Sequence, residues 1–69
     1  MEFTAWLIEI MIGSHPVWYR MERESPLGNW TTDAFLACHF DTEQEAKDFW
    51  NTLDLSKHQS VKFTEHGFY

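Results

Sequence analysis

The chain predicts an α+β fold: a three-stranded antiparallel sheet with one main helix and a short helical turn packed on one face, in the order β-β-α(short)-α-β. Three observations carry that prediction. Ala46, Phe49, Trp50 and Leu53 fall at i, i+3, i+4 and i+7, a single apolar stripe at helical spacing. Trp6, Ile8, Ile10 and Ile12 repeat with period two, the mark of a strand with one buried face. Gly13-Ser14-His15-Pro16 then separates this run from a second alternating one, which predicts a hairpin.

Residues 4–12, TAWLIEIMI, are rich in β-formers. Their second face holds Phe3, Ala5, Leu7, Glu9 and Met11, more apolar than a freely solvated face should be. Residues 17–24 alternate again: Val17, Tyr19 and Met21 are expected to face the helix, with Trp18, Arg20, Glu22 and Glu24 on the other side. Ser25-Pro26-Leu27-Gly28-Asn29 contains two breakers and is read as the end of that strand. Thr32 and Asp33 are good caps before Ala34, Ala37 and Cys38, which favours a short helix at about 33–38 over a short strand in FLACHF. The main helix is expected over 41–55, starting at Asp41 or Thr42, each of which has a Gln or Glu three residues on to complete a capping box. His58–Phe68 reads as the last strand, with Val61 and Phe63 inward, able to add beside either hairpin strand. The expected core is Trp6, Ile8, Ile10, Tyr19, Ala46, Phe49, Trp50, Leu53, Val61 and Phe63.

Sixty-nine residues are read as one domain, 1–69, near the lower limit for a core without disulfides or metal. Twelve aromatic side chains, four of them Trp and six Phe, let so short a chain fill one. Cys38 is the only cysteine, so no internal disulfide can form, and a reducing, cytoplasmic setting is expected. The run Ala5–Ile12 is interrupted by Glu9 and too short to span a bilayer, and no leader is expected. A net charge of −6 disfavours phosphate backbones and anionic lipid, so neither direct nucleic-acid binding nor membrane binding is expected.

The sequence offers little catalytic chemistry. His15, His39, His58 and His66 are scattered and, with one Cys, make none of the recurring zinc spacings, so neither metal nor cofactor is expected. Cys38-His39 with Asp41 is a weak nucleophile grouping, since sequence neighbours rarely meet in the geometry that a thiolate–imidazole pair needs. Glu65 and His66 would point to opposite faces of a strand. The chain is therefore expected not to be an enzyme, with a small enzyme or metal protein built on His66 or Cys38 as a remote alternative.

Two surfaces could bind protein. Leu7, Glu9, Trp18 and Arg20 combine aromatic, aliphatic and charged groups in the manner of an interface core and rim, unless Phe68 and Tyr69 or the 25–32 loop fold over them. Glu43, Glu45, Asp48 and Asp54 lie off the apolar stripe of the helix and make its outer surface acidic. Such an array is either simply solvated or imitates phosphates for a basic cleft.

The span Trp30-Thr31-x-Asp33-x-x-x-Ala37-x-x-Phe40-x-Thr42-x-x-Glu45-Ala46, with Thr64-Glu65-His66 near the end, resembles small uncharacterised proteins of bacteriophages and prophages. The resemblance covers roughly half of the chain and implies a provenance with no attached catalytic residue. It implies a host protein as partner, such as a defence or nucleic-acid-handling factor. A homodimer joined through Leu7 and Trp18 is the alternative.

Overall fold

The computed structural model describes residues 2–22, 25–53, 56 and 60–68, with the backbone alone at 22 and 25–29. The chain forms strands β1 (Phe3–Ile12), β2 (His15–Glu22) and β3 (Ser25–Thr31), a 3-10 turn (Ala34–Leu36), helix α1 (Glu43–Asn51) and strand β4 (Lys62–Phe68). The α+β class stands, but the antiparallel sheet has four strands in the order β3-β2-β1-β4 where three were expected.

The added strand is β3, which occupies the stretch read as a loop on account of Pro26 and Gly28. An edge strand tolerates a residue that cannot donate to the ladder, because one side of its backbone is unpaired anyway. β3 is such an edge: it pairs with β2 alone, through Trp18↔Thr31, Tyr19↔Trp30, Arg20↔Asn29 and Glu22↔Ser25, with an irregularity between Arg20 and Glu22.

The hairpin closes with Ile12 opposite His15, so its loop is Gly13-Ser14. Gly13 has φ 62°, and it is the first central residue of the loop, where a type II′ turn requires positive φ. β4 adds beside β1, in the register Leu7↔Thr64 and Ala5↔His66.

β1 and β2 pair only from the turn back to Glu9↔Trp18. Beyond that point they fork, and residues 37–40 enter the gap. The Cys38 amide donates to the Tyr19 carbonyl at 3.0 Å, while Trp6 and Phe40 exchange both backbone hydrogen bonds, at 2.7 and 3.0 Å. The fork gives these buried polar groups partners that a simple hairpin would have supplied itself.

Helix α1 starts where its side chains satisfy the orphan amides. Thr42 Oγ1 accepts from the Glu45 amide at 3.1 Å, and Glu45 Oε2 accepts from the Asp41 amide at 3.2 Å. Thr52 ends the helix, its amide and hydroxyl both donating to the Phe49 carbonyl. The expected extension to 54–55 lies outside the described residues.

Two apolar clusters lie on the two sides of the sheet. On the helix side Ile8, Tyr19, Ala46 and Trp50 are buried, with Trp6, Trp30, Cys38, Phe40, Phe49, Leu53, Val61 and Phe63 packed around them. This matches the expected core except for Ile10, which is half-buried outside that cluster. On the far side Ala5, Leu7, Ala37 and Phe68 are buried, with Trp18 and Ala34 against them, so the short turn, expected on the same face as the helix, packs on the opposite one.

Burial on the helix side raises the Tyr19 phenol above its ordinary value, and the nearby Cys38 thiolate adds in the same direction. A raised value means that the stability this group contributes is complete below about pH 10 and is lost as pH climbs from there through the folded-state value. Alkaline denaturation followed by circular dichroism should therefore begin near that pH in the wild type. Tyr19→Phe should move the onset upward, and an unchanged onset would remove Tyr19 as its cause.

Candidate protein-binding surfaces

Strand parity decides what the far side of the sheet presents. Glu9 stands opposite Trp18 on β2 and opposite Lys62 on β4, Thr64 stands one step along opposite Leu7, and His66 one step further opposite Ala5. Trp18 Nε1 donates to Glu9 Oε1 at 2.9 Å, and its ring meets that of His66 edge-on at 5.1 Å. His66 Nε2 lies 3.0 Å from Thr64 Oγ1 and 3.9 Å from Glu9 Oε1. The Glu9 side chain is only 15% exposed, so its carboxylate depends on these neighbours for solvation.

This cluster contains a hydroxyl, an imidazole and a carboxylate, but both oxygens approach the same imidazole nitrogen. A relay that activates a nucleophile needs the acid on the opposite nitrogen from the hydroxyl. The arrangement instead orients Trp18 and gives a half-buried carboxylate its partners. Glu65, next in sequence to His66, stands opposite Trp6 and belongs to the helix side.

The four far-side residues expected to bind protein have different positions. Leu7 is wholly buried, covered by the chain's own Ala37 and Phe68. It has no contact area to offer, and a homodimer centred on it would have to displace that cover. Trp18 and Glu9 are half-buried and bonded to each other. Arg20 lies on the same side, half-buried, with a partner of its own. The sequence alternative, in which Phe68 and Tyr69 or the 25–32 loop fold over this face, takes a different form: Phe68 belongs to β4 and lines the face from within the sheet, 25–31 is an edge strand, Tyr69 lies outside the described residues, and Ala34 and Ala37 pack on the face from the turn that follows β3. The Glu9–His66 pair was missed, although it follows once β4 is known to lie beside β1.

On the helix side, Glu45 and Asp48 are exposed and Glu43 is partly so. Each is also tied into the helix: Lys47 sits 2.6 Å from Glu43, Gln44 donates to Asp48 at 2.9 Å, and Glu45 caps. Lys47 also lies over the Phe63 ring at 5.9 Å. Asp54 is outside the described residues. Acids in the first turn oppose the positive end of the helix dipole, which accounts for part of their presence.

Among the described residues no cluster of His, Cys, Asp and Glu has the makings of a metal site, and no helix is long and apolar enough to cross a membrane. No family model matches the chain, and no curated protein or solved structure matches it either.

Proposed function

We propose that this chain is a non-enzymatic accessory protein, of the phage or prophage kind that its sequence resembles, which acts by occupying a basic surface of a host protein. The observation that supports this reading most directly is the charge on α1 and its approach. Asp41, Glu43, Glu45 and Asp48 meet a single cation, Lys47, between 41 and 51, and that cation is held against Glu43. Hydrogen bonds within the helix fix the carboxylates in place without removing their charge. A fixed negative array speeds encounter with a basic cleft and selects against acidic partners. A nucleic-acid-handling or defence factor is the kind of host protein that carries such a cleft.

The helix geometry also decides how to test this. Glu45 completes the cap, so replacing it would confound binding with folding, whereas Glu43 and Asp48 make only exposed side-chain contacts. The double variant Glu43→Gln, Asp48→Lys should shift stability by about 0.5 kcal/mol or less per site. Captured host protein should be retained by the wild type at low salt, lost from the double variant, and released as the Debye length falls from about 10 Å toward 3 Å. Retention of the same protein by both forms would show that the helix surface is only solvated.

A further inference from the structure

At the end of the sheet where β1 begins and β4 finishes, aromatic rings gather around Phe68. Phe3 stacks on it at 4.8 Å and 19°, while Phe35 and His39 tilt against it at 4.8 and 4.9 Å. Phe68 itself is buried, but Phe35 is 60% exposed, Leu36 51% and Phe3 40%. The patch therefore has a buried floor and an open aromatic wall.

The wall is held rigidly. Asp33 Oδ1 accepts from the Phe35 amide at 2.9 Å, and His39 Nε2–H donates to the Ala34 carbonyl at 2.9 Å. Residues 37–40 then anchor in the fork of the sheet. Phe35 lends one side of its ring to Phe68, yet it and Leu36 still leave more than half of their surface open, side by side on one turn. Exposed apolar groups gathered with aromatic rings in one patch are the composition of an interface core.

The charges around them define the occupant. Glu2, next to Phe3, and Asp33, which caps the turn that carries Phe35 and Leu36, are the charged residues that adjoin this patch in sequence, and both are acids. A second copy would set these acids against themselves, and a phosphate-bearing surface would be repelled. A guanidinium, in contrast, can lie flat on an exposed ring while its N–H edge meets a carboxylate. We propose that Phe3, Phe35, Leu36 and His39, edged by Asp33, form a docking site for an arginine-bearing apolar segment of another protein. This rests on the reading of the chain as a protein-binding module, but not on the helix surface, which lies across the sheet.

The test is titration of the intact chain with a synthetic peptide of alternating Arg and Leu, followed by amide NMR and calorimetry, with a Glu–Leu peptide as control. The Arg–Leu peptide should shift the amides of 35–39 and 68, the Glu–Leu peptide should not bind, and Phe35→Ser with Leu36→Ser should weaken binding by about tenfold or more. The Glu43→Gln, Asp48→Lys variant should stay within about threefold of wild type, since its charges act on the peptide only through screened solvent. Equal affinity for the double-serine variant, or shifts confined to 41–51, would overturn the docking site. The second of those outcomes would leave the helix reading standing, whereas peptide binding at 35–39 beside a failed host capture would sink the helix reading alone.

Discussion

Trp50→Ala is expected to cost about 3–5 kcal/mol, most of the stability that a domain of this size possesses. Trp50 is 4% exposed and joins the helix to both hairpin and edge strand, meeting Tyr19 at 5.8 Å and Trp30 at 6.1 Å. Truncating it opens a cavity among Ile8, Tyr19 and Ala46. Urea unfolding followed by circular dichroism should show a variant largely unfolded at room temperature. Phe49, on the same stripe but half-buried, should tolerate the same truncation better. A cooperative Trp50→Ala transition within about 1 kcal/mol of wild type would put the helix phase wrong.

Leu7→Ala is the second large effect, and its size separates the two accounts of the far sheet face. On an open face the change would shift stability by about 0.5 kcal/mol or less. Beneath Ala37 and Phe68, with Ala5 and Trp18 beside it, Leu7 should lose about 2–5 kcal/mol. Denaturant midpoints for wild type and variant decide the matter. The smaller value would mean that the 34–37 segment does not cover the sheet in solution.

What could be read from the residues was whatever depends on local period and punctuation. The stripe through Ala46 and Trp50 fixed the face of α1, Gly13 placed the hairpin loop, and Asp33 marked the start of a turn that proved to be 3-10, at Ala34–Leu36. Features set by distant pairing were not legible. Pro26 and Gly28 argued against a strand because the residues alone do not reveal that β3 is an edge with one unpaired side. Leu7 was placed correctly on the face away from the helix, but its cover comes from residues thirty positions later, which no window of local pattern contains. The Glu9–His66 approach likewise depends on which strand β4 chooses as its neighbour.

The fork between β1 and β2 bears on the order in which the chain can fold. Continued past Glu9↔Trp18, the hairpin register would bring Ile8 opposite Tyr19 and Trp6 opposite Met21. That fully zipped hairpin is built from local contacts, and hairpins close within microseconds, before distant segments arrive. Residues 37–40 claim the same backbone groups of Trp6 and Tyr19. The native sheet and the zipped hairpin are thus mutually exclusive, and a chain that zips first must open again from its free ends before the late segment can seat. An early partner and a later one compete for the three backbone groups that these native hydrogen bonds use.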